Sequence, residues 1–495
     1  MIQIVLAQPR VVGRNICFSW TVDPAVDVYR ATEFTLRFPD EIDVAKVPAR
    51  IWWLVFFLCL HTHWAVIRPC RVSLPVRIGE AEREFWLRLI DAHVATLEAM
   101  RGTTRLQREV EIADGDLELP PIQRAADSGR CAAAFSGGKD SLAQAGLLCE
   151  LTQRPILVTT TSPLFDQFSD HISDRRRQVL REIPRRRDVT LIEVRSDIRS
   201  TWHNFAAAER GYLLAISELT DALLYFACTM VAGVALGAPH LFLASEAEVQ
   251  FNTQRGDDVV QMSHFMYSTI TQRAVSALLE RHGLSYGSLT APLHNSQVQR
   301  LLWTRYRDIS DLQYSCWRVA PGESACSACS QCLRITMGAL EAGGDPAAMG
   351  IDLAKVLRET RTWAPKPAAA ENALPGDAVT AELSSQLVYN IRAVSPATIR
   401  KRLVGRGLSR FFRPDPTEAL RDFDDLRARL ADFPATNAPR YWPGFVETID
   451  PLLRDRVAAI FAASFEPEAE SRYAAMLRRN DALVERITAP MRAHV

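Results

Sequence analysis

Ser136-Gly137-Gly138-Lys139-Asp140-Ser141 decides how this chain is read. An apolar run, 131–135, precedes it, and Leu142, Ala145, Leu148 and Cys149 follow at helical spacing. The order strand, glycine turn, helix start is therefore predicted. Two glycines let the backbone approach an anion closely, and a helix N-terminus supplies unpaired N–H groups and a favourable dipole. Ser136 and Ser141 can donate hydroxyl hydrogen bonds, and Lys139 adds a point charge. Such a loop suits phosphate. It is not the GxxxxGK[ST] loop that cradles β- and γ-phosphates. A serine- and glycine-rich turn that only caps a helix is the plainer alternative.

The chain has 495 residues, which suggests about two to four domains. Its 48% hydrophobic and 23% charged content is that of an ordinary globular protein. Lys+Arg and Asp+Glu number 58 each, so no global field draws in nucleic acid, and any basic footprint must be local. Met1 leads into Ile2, Val5 and Leu6 without the basic and apolar segments of a leader, so a cytoplasmic location is expected. The most apolar run, 51–60, is about half the length a membrane helix needs, and reads as a buried strand or helix.

Residues 1–125 read as an N-terminal α+β module rich in strand signal, with strands near 16–22, 34–38 and 72–78 and a helix over 80–100. From 128 to 345, short apolar strands (131–135, 156–160, 189–194, 241–244) alternate with helices, the longest over 211–236. That pattern predicts a doubly wound parallel sheet covered on both faces, with ligands at the carboxyl ends of its strands. Residues 346–495 read as mainly helical, with breaks at 364–375 and 434–443.

Ten cysteines in a long chain with no leader point to thiols or metal before disulfides. Cys17, Cys59, Cys70, Cys131, Cys149 and Cys228 stand singly in apolar surroundings and read as small core residues. Cys316, Cys326, Cys329 and Cys332 form a C-x9-C-x2-C-x2-C array. Four thiolates can surround one tetrahedral Zn2+, and a full shell leaves no place for a catalytic water, so such a site is structural. An iron–sulfur cluster and four unrelated core cysteines are the alternatives.

The six-residue loop resembles the pyrophosphate loop of the ATP pyrophosphatase (PP-loop) enzymes, whose fold is that of the adenine nucleotide alpha-hydrolases. Tyr314-Ser315-Cys316-Trp317 and the run from Cys326 to Arg334 resemble the zinc segment that closes 7-cyano-7-deazaguanine synthases. Ala291-Pro292-Leu293 and Arg210-Gly211-Tyr212-Leu213-Leu214 are similar to further segments of that family. The resemblance covers 128–345. It implies a PP-loop domain that binds ATP and Mg2+ through Ser136, Gly137, Gly138, Lys139, Asp140 and Ser141. Ser136, Lys139 and Asp140 would be catalytic, with a structural Zn2+ on the four cysteines. It further implies adenylation of a 7-carboxy-7-deazaguanine carboxylate, with pyrophosphate leaving.

The family usually carries glutamine where Lys139 stands, although lysine is common elsewhere among PP-loop enzymes. Its Tyr-Gly-Gln segment is replaced by 162–167, and its acidic segment after the fourth strand by Ser245-Glu246-Ala247-Glu248. Flanking segments on both sides are similar to long relatives in bacterial anti-phage defence operons. Those imply that an amine of a partner protein from the same operon takes the acyl group. Nitrile synthesis proper, a tRNA-modifying PP-loop enzyme and a non-catalytic nucleotide-dependent scaffold are the alternatives. Nucleic acid is not favoured as a partner, and no membrane is expected.

Weaker features complete the reading. The basic run Arg175, Arg176, Arg177, Arg181, Arg185, Arg186 and Arg187 is expected to be a solvated helix face before it is a phosphate or RNA surface. A second basic patch, Arg400, Lys401, Arg402, Arg406, Arg410 and Arg413 with Phe411 and Phe412, could dock a partner or nucleic acid, or simply pack as an amphipathic helix. His264, Tyr267, Glu246 and Glu248 lie where substrate is expected. His61 and His63 read as part of a strand with two polar faces before they read as metal ligands.

Overall fold

Side chains along the four-residue strand Cys131–Ala134 alternate between two separate apolar clusters, Cys131 and Ala133 in one and Ala132 and Ala134 in the other. Both faces of this strand are therefore covered, as a parallel sheet requires. The structure, a computed structural model, describes residues 1–101, 109–120, 122, 129–161, 170–202, 216–261, 264–314, 316, 324–366, 377–404, 416–433 and 440–492.

The N-terminal part supplies β1 (Ile2–Leu6), β2 (Arg10–Val12), β3 (Asn15–Asp23), β4 (Glu33–Arg37), β5 (Cys70–Ser73) and β6 (Val110–Ala113). The middle supplies β7 (Cys131–Ala134), β8 (Ile156–Thr161), β9 (Thr190–Ser196) and β10 (His240–Phe242). A hairpin of β11 (Asn252–Arg255) and β12 (Asp258–Gln261) stands apart, and β13 (Ser285–Gly287) follows. Eleven of these strands form one sheet in the order β13-β10-β7-β8-β9-β4-β3-β1-β5-β6, with β2 paired to β3.

From β13 to β9 every neighbour is parallel. The chain steps outward from β7 through β8 to β9, then returns to the other side of β7 for β10 and β13. The strand order thus reverses between β7 and β10, and that crevice is where open α/β sheets hold ligands. The parallel sheet expected over 128–345 is present, including β13, which the sequence did not show. The sheet also continues across the 125–128 boundary. β4 pairs antiparallel with β9, Leu36 opposite Ser196, and the amide of Thr35 donates to Asp197 Oδ1 at 2.6 Å.

Helices Lys139–Leu151 and Asp170–Arg186 contribute Leu142, Leu147, Val179 and Ile183 to the cluster on one face. Helix Ile216–Ala235 covers the other, and helix Ala49–Ile67 packs on its outer side. This last helix corrects two expectations. The apolar run does not stop at 60: it is a 19-residue helix containing an 18-residue window apolar enough to cross a membrane. In the structure 94% of that window is buried inside protein, which makes it a core helix. His61 and His63 lie on it, both buried, and not on a strand. Three residues of alternation could not outweigh an unbroken stretch without Gly or Pro.

The described residues of the C-terminal region are mainly helical. Helices Asp377–Ala393 and Leu353–Glu359 pack on helix Ser330–Glu341, and Thr417–Arg429 packs on Leu353–Glu359. The last helix, Ala474–Arg492, returns to pack on Glu80–Arg101 and Thr269–Glu280.

Candidate functional site

The loop between β7 and helix Lys139–Leu151 is shaped by its glycines. Gly137 has φ +80°, and a Cβ there would lie 3.0 Å from Val179 Cγ1, so a side chain would be strained twice over. Gly138 is the helix N-cap and offers no side-chain cap, which leaves the first-turn N–H groups open to an anion. Ser136 Oγ accepts from Gly138 N at 3.3 Å and lies 3.2 Å from Ser141 Oγ, while Ser141 Oγ donates to Gly138 O at 3.0 Å. The hydroxyls hold the turn in shape.

Ser136, Gly138, Asp140 and Ser141 line a cavity of about 440 Å³ at the strand ends. Thr160 and Thr161 of β8, Glu193 and Arg195 of β9, and Leu243 and Ala244 after β10 complete its base, while Arg176, Arg177, Tyr225, Tyr267 and Tyr314 line it too. Gly137 and Lys139 do not. The expectation that Lys139 offers its charge to phosphate is not met in this arrangement: the residue is 4% exposed, and Nζ donates to Asp140 Oδ1 and Oδ2 at 2.8 and 2.7 Å and to Glu246 Oε2 at 2.5 Å. The ammonium bridges the two strands of the switch point.

Burial alone would lower the Lys139 pKa, but Asp140 and Glu246 raise it above its usual value. Burial and the neighbouring Glu246 charge push Asp140 up to about 8, and Lys139 offsets only part of this. For Glu246, burial is outweighed by Lys139 and by the Asp140 hydrogen bond, so its carboxyl lies below the ordinary range. Two carboxylates sharing one cation divide their titration in this way. Asp140 keeps 29% of its side chain open. Its oxygens and those of Glu246 are the hard ligands that Mg2+ takes.

The four cysteines of the array come together. Their sulfurs all lie within 4.8 Å of one another, Cys326 to Cys332 at 3.7 Å and Cys329 to Cys332 at 3.6 Å. A Zn–S bond of about 2.3 Å puts sulfurs about 3.8 Å apart on a tetrahedron, so the set fits one zinc-sized ion and leaves no room for several irons. Cys326 N donates to Cys316 Sγ at 3.3 Å and Cys332 N to Cys329 Sγ at 3.4 Å, bonds that favour thiolate. Ser327 turns the Cys-x2-Cys step with φ +51°. The cluster could bind a structural metal such as zinc. Two residues before it, Tyr314 N donates to Gly137 O at 2.9 Å, which ties the metal segment to the anion loop.

The basic run divides. Arg186 and Arg187 pair with Asp311 and Asp308, each at 2.5 Å, and Arg185 pairs with Glu182 at 2.9 Å. Arg175 is buried and bonds Asp311 O, while Arg176 and Arg177 turn into the cavity, so a wholly solvated face is not what forms. Glu246 and Glu248 also part ways. Glu248 is 1% exposed and accepts from Asn295 N at 2.8 Å and from Gln386 Nε2 of the C-terminal region at 2.7 Å. Tyr267 reaches the cavity; His264 is exposed beside it. The segments 162–167, 210–214 and 405–413, with Ser315 and Trp317, lie outside the described residues. Glu193, Arg195 and Tyr225 were not singled out from sequence. They stand in runs that mark a strand and a helix, with no local motif to find them by.

Fold and site together define a mixed α/β protein with a glycine loop at the switch point of a large, mostly parallel sheet and a four-cysteine cluster tied to it. Compared with known proteins, the chain matches no family model, no curated protein and no solved structure.

Proposed function

We propose that this chain is an ATP-dependent ligase that adenylates the carboxylate of a 7-deazaguanine and passes the acyl group to an amine of a partner protein, in the manner of anti-phage defence. The observation that carries the reading is the Ser136–Ser141 loop, whose open N–H groups and Asp140 face a cavity at the strand-order reversal. ATP would lie with its phosphates on that loop. A carboxylate oxygen of the substrate attacks the α-phosphorus, the bond to the β-phosphate oxygen breaks, and pyrophosphate leaves. The amine nitrogen then attacks the acyl carbon, AMP departs, and the amine gives up a proton.

Preorganised N–H donors stabilise the charge that grows on the leaving pyrophosphate without reorganising at the moment of reaction. Asp140 and Glu246 are the residues that would hold Mg2+, which supplies charge neutralisation on phosphate oxygens when bound. The four-cysteine cluster, with a closed shell, supports the fold of this face and takes no part in the chemistry.

Incubation with ATP and 7-carboxy-7-deazaguanine should release AMP and pyrophosphate. Ser136→Ala or Asp140→Ala should slow this by roughly 100- to 1,000-fold, the usual cost of one lost group facing a developing anion. Release of ADP and phosphate instead, or undiminished AMP formation in both variants, overturns the reading. Mass spectrometry of co-expressed neighbouring-operon proteins should find a deazapurine adduct.

A further inference from the structure

The anion loop occupies one side of the cavity, and the side built by β8 carries a cation of its own. Arg176 lies on helix Asp170–Arg186, one turn before Val179, the residue packed against Gly137. One end of its guanidinium is fixed: Nη2 donates to Thr159 Oγ1 and to Thr160 O, both at 2.6 Å. Both partners are neutral. Its Nε is buried without a hydrogen-bond partner, and among the described residues no carboxylate forms an ion pair with it. Burial pulls its pKa below the usual value, and Tyr225, Tyr314 and Glu193 offset only part of that. Tyr314, on the same cavity, has a buried hydroxyl that also lacks a partner.

A partly buried charge with no carboxylate partner among the described residues is costly, and a guanidinium fixed at one edge presents its remaining donors in a fork that matches an oxyanion. The neighbouring arginines of the run differ: Arg185, Arg186 and Arg187 each pair with a carboxylate. Arg176 is therefore set apart by where it points and by what it lacks.

We propose that Arg176 and Tyr314 form a second oxyanion subsite on the β8 side of the cavity, separate from the Ser136–Ser141 loop, which receives the carboxylate of the acyl substrate. This rests on the ligase reading for the identity of the ligand, although the subsite itself does not. A nucleotide phosphate has the same oxyanion chemistry and is the other source. With the loop holding one anion and Arg176 the other, two negatively charged reactants share one cavity without facing each other unscreened.

The test is ligand binding by calorimetry to the full chain, wild type against Arg176→Gln and Tyr314→Phe. Three probes are used: 7-carboxy-7-deazaguanine in the presence of α,β-methylene-ATP, α,β-methylene-ATP alone, and sulfate. Loss of a charge-assisted pair should weaken the carboxylate probe by about 10- to 100-fold in Arg176→Gln, and by less in Tyr314→Phe. The nucleotide alone should stay within about twofold. A loss confined to the nucleotide assigns the subsite to phosphate. Weaker sulfate binding in Arg176→Gln upholds the subsite even where neither named ligand binds, and in that case the ligase reading alone fails. Arg176→Lys keeps the charge without the fork and guards against misfolding: it should recover part of the lost affinity. Retention of all three affinities in folded Arg176→Gln, or no binding of any probe to the wild type, overturns the proposal.

Discussion

Lys139 and Glu246 stand 107 residues apart in sequence and 2.5 Å apart in space, joined across the crevice where the strand order of the sheet reverses. One residue opens the helix after β7 and the other follows β10, so this ion pair fixes the separation of the two strand ends that frame the cavity. The lysine acts here as a brace.

A brace and a phosphate ligand respond differently to substitution. Lys139→Met should leave Asp140 and Glu246 close together without their cation. The expected loss of stability is about 3 kcal/mol, at the low end for breaking a buried pair because Asp140 keeps some exposure. Unfolding in urea should show it as a lower midpoint with an unchanged slope. A midpoint equal to the wild type would mean that the lysine braces nothing.

The purified protein should carry about one zinc per chain and be colourless. Exchange of both Cys329 and Cys332 for serine should remove the metal, and it should reduce solubility before any kinetic defect is seen, since a closed site contributes to folding. Visible absorbance, or metal kept by the double variant, would count against a four-thiolate zinc site.

Acid should unfold this protein early. His61 is pulled down to about 4 by burial, and His63 and His93 to about 3, burial again being the main cause. Their folded pKa values lie below the unfolded value of about 6.5, so the unfolded chain takes up protons first. The stability contribution is whole above about pH 6.5 and drains away as pH falls towards 4. At pH 5 each of the three has lost about 2 kcal/mol. His294 is shifted the other way, raised by Glu248 against its burial, and offsets a part. Thermal melts should be flat above pH 7 and fall steeply between 6.5 and 4.5, with His63→Leu moving the acid limb lower. Equal melting at pH 7.5 and 5.0 would refute this.

Reversal of Arg400 and Lys401 to glutamate should weaken modification of a protein partner while AMP formation without the partner continues. Both are exposed. Arg402 is left intact because it pairs with Asp345 at 3.1 Å and donates to Gly343 O at 3.0 Å. A parallel fall in both activities would place this helix in the catalytic machinery.

The sequence made the loop, the alternating core and the thiol cluster legible because each depends on local spacing: two glycines before a helix, short apolar runs, and four cysteines within seventeen residues. What it hid depends on distant partners. Nothing near Lys139 announces that its ammonium is taken by Glu246, and nothing in a run of arginines separates Arg176, which faces the cavity, from Arg187, which pairs with Asp308. The histidines show the same limit. His61-Thr62-His63 looks like an alternating strand until the helix around it is seen as one 19-residue piece. The joining of β4 to β9 belongs here too, since its ladder is only two residue pairs long, Leu36 opposite Ser196 and Arg37 opposite Arg195.

The return of helix Ala474–Arg492 onto Glu80–Arg101 carries a consequence for biosynthesis. Arg88 Nη1 donates to Arg486 O at 2.7 Å across 398 residues of chain, and Leu483, Val484, Ile487 and Met491 share one apolar cluster with the N-terminal strands. During translation that part of the cluster stays open to water until helix Ala474–Arg492 has left the ribosome. Contacts of such sequence separation form late and slowly. Until then a nascent chain leaves open the apolar face of Glu80–Arg101 that this helix covers, whereas Ala49–Ile67 meets its own cover, Ile216–Ala235, much earlier.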